Sequence, residues 1–162
     1  MENHQAITLR EMTIEDYEQA FSIWEQSDGI CINESDSREN IWLFLQRNPG
    51  LSVVAENGGK IVGTVLGGHD GRVGMIYHLA VMLPYRGQGI AWMLVEECLR
   101  RLSEVGLHRC YIHVLRDNQP AIEFWGKNNC QLREDYHVFF RELQDEQERQ
   151  QEGGGNTESR NG

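Results

Sequence analysis

The sequence predicts a mixed α/β (α+β) domain rather than a doubly wound one, on three observations. A strand-rich middle from Leu51 to Val81 is punctuated by hairpin-type turns, as in a meander. Helical apolar spacing stands on both sides of it. The resulting order, β-α-α-β-β-β-α-β-α-β, does not alternate strand and helix as a βαβ sheet would. At 162 residues the chain is one domain by length.

Ile7 to Arg10 is the first strand. Thr13, with Asp16 three residues on, caps a helix carrying Tyr17, Ala20, Phe21 and Trp24 to about Ser27. Asp28 to Ser37 is a polar loop, and Ser37 caps a second helix with Ile41, Trp42, Phe44 and Leu45, stopped by Pro49-Gly50. Trp24, Trp42, Phe21 and Phe44 are expected in the core. Leu51 to Glu56 and Lys60 to Leu66 flank the hairpin signal Asn57-Gly58-Gly59, and Val73 to Val81 completes the meander. Ile90, Ala91, Leu94, Val95, Cys98 and Leu102 form one helical stripe ended by Gly106. Cys110 to Val114 is a strand, Pro120 to Lys127 a helix with proline in its first turn, and Tyr136 to Leu143 a closing strand. Residues 1–143 are thus the folded domain. Residues 144–162, acidic, Gln-rich and carrying Gly153-Gly154-Gly155, cannot bury an apolar face and are expected to be disordered.

A formal charge of -10 argues against a long nucleic-acid footprint and leans toward a cationic small molecule. Cys31, Cys98, Cys110 and Cys130 lie far apart, with neither disulfide nor metal-ligand spacing, so reduced thiols and no metal are expected. Neither a signal-peptide core nor a membrane span is visible, which predicts a cytoplasmic protein without membrane partners.

The junction Tyr85-Arg86-Gly87-Gln88-Gly89-Ile90-Ala91 is a poor helix start by propensity. A helix N-terminus exposes unpaired N–H groups and partial positive charge, and bare glycines let an anion approach them. No P-loop pattern is present, and Trp92 stands where a dinucleotide motif needs its third glycine.

The run from Leu79-Ala80-Val81 through Pro84-Tyr85-Arg86-Gly87-Gln88-Gly89-Ile90-Ala91 resembles the acyl-CoA motif R/Q-x-x-G-x-G/A of the GNAT-superfamily N-acetyltransferases. Asn118-x-x-Ala121-Ile122-x-Phe124-Trp125-x-Lys127 is similar to the family's later block, and Gly63 to Gly71 resembles small bacterial members of the YpeA type. The resemblance spans Ile7 to Leu143 and implies a mostly antiparallel mixed sheet flanked by helices. It implies acetyl-CoA as co-substrate in a V-shaped opening between the strand ending at Val81 and the strand from Cys110. Backbone near Leu79, Ala80 and Val81 would bond the pantetheine arm. Arg86, Gly87, Gln88, Gly89, Ile90 and Ala91 would hold the pyrophosphate, and Asn118 and Trp125 would line the cofactor. Family members often dimerise, so a homodimer is an expected partner beside a small-molecule or peptide amine.

Acetyl transfer to an amine needs a base, or a site that lowers the amine's pKa, because a lysine-like amine has a pKa of about 10.4. Tyr77 and His78 occupy the strand where several family members place a carboxylate base. Strict alternation turns only one of them toward the cleft and favours Tyr77, while the family's strands bulge here, which leaves the parity open. Tyr136 and His113 are weaker candidates; Glu34 and Asp36 could bind a cationic substrate, but solvated loop charge is the better reading of both. The family's later block usually ends in a tyrosine acid, where this chain has Trp125, whose indole cannot usefully give up its proton. That departure leaves catalysis through water open and raises two alternatives: a different acid, or a non-catalytic acyl-CoA sensor.

Overall fold

The computed structural model describes residues 6–143. Its contacts divide the chain into two units, one ending at Phe124 and one beginning at Trp125. The acidic, glycine-rich tail expected from residue 144 lies outside the described residues.

In the first unit, strands β1 (Thr8–Glu11), β2 (Val53–Asn57), β3 (Lys60–His69), β4 (Gly74–Val81) and β5 (Cys110–Ile112) form one sheet in the order β1-β2-β3-β4-β5. The first three pairings are antiparallel, and β4–β5 alone is parallel. Between β1 and β2 run helices α1 (Tyr17–Glu25) and α2 (Arg38–Arg47); α3 (Ile90–Glu104) separates β4 from β5. Helix α4 (Gln119–Lys127) carries the chain from the first unit into the second.

The helix starts follow from local chemistry. The Thr13 N–H donates to the Asp16 carboxylate at 2.9 Å, opening a 3-10 turn that runs into α1. The same carboxylate takes a two-pronged grip from Arg10 at 2.8 Å on each oxygen. Ser37 Oγ accepts the Asn40 N–H at the start of α2. Helix α1 stops at Glu25, short of the expected Ser27.

Strand β3 is covered on both faces, and its residues divide between them by pleat. A Cβ on Gly67 would sit 2.6 Å from both Cys98 Sγ and Leu51 O, so α3 lies against that face only because the side chain is missing. The α3 stripe of Ile90, Leu94, Val95, Cys98 and Leu102 is buried there, and burial pushes the Cys98 thiol up to about 12. On the opposite face Trp24, fully buried, packs with Tyr17, Ala20, Ile23, Ile41, Val54, Ile61 and Leu66. Trp42 departs from expectation: it is 45% exposed, because Ile41 is the α2 residue that turns inward.

In the second unit α4 ends at Lys127, and Asn129 just beyond it, with a φ of +60°, is the left-handed cap that lets the Cys130 N–H reach Trp125 O at 3.1 Å. The closing strand expected over Tyr136 to Leu143 is not formed, and β5 ends at Ile112 rather than Val114. A strand needs a neighbour for its backbone groups, and propensity alone does not supply one. Among the described residues the sheet has five strands and this segment is outside it; Phe139 and Phe140 are 90% and 87% exposed. Arg133 instead organises the segment locally, bonding both oxygens of Asp135 and lying 4.5 Å over the Tyr136 ring.

Candidate active site

The glycine junction forms a tight loop from β4 to α3. Pro84 sits in a 3-10 turn, Leu83–Tyr85, and the Arg86 Nε donates back to Val81 O at 2.9 Å. Gly87 and Gly89 take φ of +73° and +80°, a region that costs any residue with a Cβ. Gly89 is the N-cap of α3, so the N–H groups of Ile90, Ala91 and Trp92 have no acceptor within the helix. A Cβ at Gly87 or Gly89 would meet nothing within 4 Å. The glycines therefore serve the backbone shape and the space in front of it, not internal packing.

Next to this loop the sheet opens. Strands β4 and β5 pair only from Gly74 and Cys110 to Ile76 and Ile112. Beyond Ile76, β4 keeps β3 as its neighbour and loses β5. The Met82 N–H donates to Val62 O at 2.8 Å, so Gly63 and Val81 face each other as a non-hydrogen-bonded pair. Val81 therefore directs its own N–H and C=O away from β3, into the gap. A groove of about 490 Å³ adjoins the end of β4, between Val81, Met82 and Arg86 on one side and Ile23, Ser27 and Asp28 on the other.

The stretch of β4 that has lost β5 carries Tyr77, His78, Leu79 and Ala80. Leu66 pairs with Tyr77 but Thr64 with Ala80, so β4 holds one residue more than β3. This bulge overturns strict alternation: Tyr77 and His78 both contact helices of the same face. Tyr77 meets Phe44 of α2 edge-on at 6.0 Å, and His78 meets Trp24 of α1 edge-on at 4.8 Å. Burial, with a smaller contribution from Cys110, raises the Tyr77 hydroxyl above its ordinary 10.0, which suits it to keep its proton rather than act as a base.

His78 is the most constrained residue of the site. Its φ is +50°, one of two positive values among the described non-glycine residues. Thr64 Oγ1 donates to the His78 carbonyl at 3.0 Å and accepts Trp24 Nε1–H at 2.8 Å, pinning the bulge from beneath. The His78 Nε2 lies 2.7 Å from Asp36 Oδ1. Asp36 is only 5% exposed; its Oδ2 accepts the Asn33 N–H and its carbonyl accepts the Tyr17 hydroxyl at 2.7 Å. Asp36, which the sequence suggested as solvated loop charge, is instead buried against His78. The readable signal was its place three residues after Asn33, a capping spacing that folds a carboxylate inward.

The remaining candidates separate. Asn118 caps α4, its Oδ1 accepting the Ala121 N–H at 3.2 Å. A Cβ on Gly29 would stand 2.6 Å from Asn118 Nδ2, so the loop after α1 abuts the loop before α4. Trp125 is buried, His113 is exposed just past β5, and Tyr136 lies in the second unit, 61% exposed.

The acetyltransferase (GNAT) family model matches residues 10–129, nearly three quarters of the chain. The chain belongs to the GNAT acetyltransferase family. Its acetyltransferase relatives include one from Sodalis glossinidius, 30% identical over 140 residues, covering 86% of this chain and 98% of that protein. Among solved structures, Ard1 from Thermoplasma volcanium superposes with a TM-score of 0.68 at 23% identity, covering 76% of this chain and 82% of that one. The PaiA N-acetyltransferase of Thermoplasma acidophilum, solved with coenzyme A, also reaches 0.68 at 20% identity, covering 76% and 89%. The mixed sheet flanked by helices is the GNAT arrangement, and this acetyltransferase shares it. No helix among the described residues is long and apolar enough to cross a membrane.

Proposed function

We propose that this acetyltransferase moves an acetyl group from acetyl-CoA to a primary amine by direct attack within a ternary complex. The observation that carries the reading is the open end of β4: a strand edge that has lost its β5 neighbour, leading straight into a glycine-built helix start with room in front of it. The first part suits the amide-bearing pantetheine arm, which can bond to strand backbone as a neighbouring strand would. The second suits the diphosphate, which needs N–H donors and partial positive charge at close range. The coenzyme A bound in the Thermoplasma acidophilum PaiA enzyme, which shares the fold, supports the same choice. Leu79, Ala80 and Val81 would flank the arm, Arg86 to Ala91 the phosphates, and Asn118 the far side.

His78 is the base in this mechanism, and Tyr77 a neighbouring proton-bearing hydroxyl. The amine nitrogen attacks the thioester carbonyl as His78 takes its proton; the C–N bond forms, the C–S bond breaks and the thiolate leaves. Its basicity, with a thiol pKa of about 8.5, lets it depart without a dedicated acid and take a proton from water. The acidic net charge favours a cationic acceptor.

Coenzyme release and product mass, measured over a panel of polyamines, amino sugars, amino acids and peptides, test the proposal. Acceptor-dependent release with a 42-dalton gain on the amine, about the mass of an acetyl group replacing hydrogen, is expected. Tight coenzyme A binding without transfer to any amine would overturn it.

A further inference from the structure

We infer that Asp36 is a positioning residue that holds His78 in the tautomer with hydrogen on Nε2, leaving Nδ1 as the atom that receives the amine's proton. This rests on the acetyl-transfer reading and adds to it the atom and the partner.

The geometry points one way. A carboxylate accepts hydrogen bonds and does not donate them. Asp36 Oδ1 is 2.7 Å from His78 Nε2, and its other oxygen is already engaged by the Asn33 N–H, so the hydrogen between the two side chains belongs to the ring nitrogen. In a neutral imidazole that leaves Nδ1 with its lone pair. Among the described residues no hydrogen bond is made to Nδ1, and no buried side-chain nitrogen or oxygen lacks a partner, so Nδ1 reaches solvent. One edge of the ring is anchored in the protein and the other is open, on the stretch of β4 that has lost β5.

The anchor is itself fixed. Tyr17 of α1 donates to the Asp36 carbonyl, and Ser35 N–H bonds Asn33 Oδ1 within the short turn that carries the aspartate. When Nδ1 takes the proton, the imidazolium lies against a carboxylate that is barely exposed, so the charge formed during attack has a counter-charge in place. The proton then leaves through solvent as the thiolate is protonated, and the ring returns to its starting tautomer.

A purely structural pair would hold the same distance, with His78 serving to satisfy a buried carboxylate. The test separates the two roles. Long-range proton–nitrogen NMR of protein labelled at its six histidines, with His78 assigned by its loss in His78→Gln, reads the tautomer directly. Hydrogen on Nε2 and a bare Nδ1 are expected in the neutral ring; the reverse would overturn the inference without any activity measurement. His78→Gln keeps an N–H for Asp36 but no base, and is expected to lower kcat by about 10²–10⁴-fold. Asp36→Asn is expected to lower kcat by at least about tenfold with the KM for acetyl-CoA little changed, and to mix the two tautomers. Wild-type kcat in either variant, with native melting, would overturn it. If wild-type protein acetylates no amine, the functional reading falls by itself, and the NMR result still decides the tautomer.

Discussion

His78 holds a backbone conformation that costs a side-chain-bearing residue about 1–2 kcal/mol, and three neighbours over-determine it. Strain of this kind persists only where the surroundings enforce it, which gives Thr64 a role beyond packing. Thr64→Val removes the hydroxyl that links Trp24 to the His78 carbonyl. It is expected to cost about 1–3 kcal/mol in denaturant melts, because it leaves the buried indole N–H unpaired. It should also reduce kcat more than the KM for either substrate. Gly89→Ala separates folding from binding in the opposite way. The new methyl meets no protein atom, so stability should fall by only about 1 kcal/mol from the positive φ. Calorimetry with coenzyme A should nevertheless show affinity reduced by at least about tenfold, since the methyl occupies the approach to the helix amides. The sequence made Gly87, Gly89 and His78 legible as candidates, because glycine spacing and residue type carry chemistry on their face. Asp36 looked like one more loop carboxylate, and its burial depends on Tyr17 and His78, 19 and 42 residues away.

Among the elements, β4 departs most from a simple reading. A period of two places Tyr77 and His78 on opposite faces; one extra residue against β3 puts both against the helices that follow β1. A bulge has no composition signature, so periodicity alone could not announce it; only the family resemblance pointed to one here. The segment Tyr136–Leu143 is the converse case, with strand-like composition but no strand partner. Helix α4 raises a different question, because Trp125 stands where the family usually has a tyrosine acid. Trp125→Tyr is expected to raise kcat for acetyl transfer by up to about 100-fold if protonation of the departing thiolate limits turnover. A fall in kcat, or a change of preferred amine in the same panel, would assign the indole to shaping the acceptor site.

For the molecule as a whole, the order of elements along the chain and the placement of the helices were readable because patterning, capping and turn residues agree over the first 124 residues. Its acid response has a buried anchor in Asp16. Burial pushes the Asp16 carboxyl up, but hydrogen bonds from Arg10 and the Thr13 N–H outweigh it and hold the group below its ordinary 3.8. A depressed carboxyl stabilises the fold above its unfolded-state value, and that contribution is lost as pH falls through the folded-state value. Arg10 is 42% exposed on its side chain, so solvent screens part of the attraction. Asp16→Asn is expected to lower stability by about 1–3 kcal/mol at neutral pH and to flatten the decline below roughly pH 4, as followed by urea melts across pH. The uncovered start of α3 has a different reach. Because no described residue lies within 4 Å of a side chain added at Gly87 or Gly89, damage there is expected to leave a chain that still accumulates in cells. In a saturation library scored once for abundance and once for acetylated product, Gly87 and Gly89 should be where the two maps diverge most.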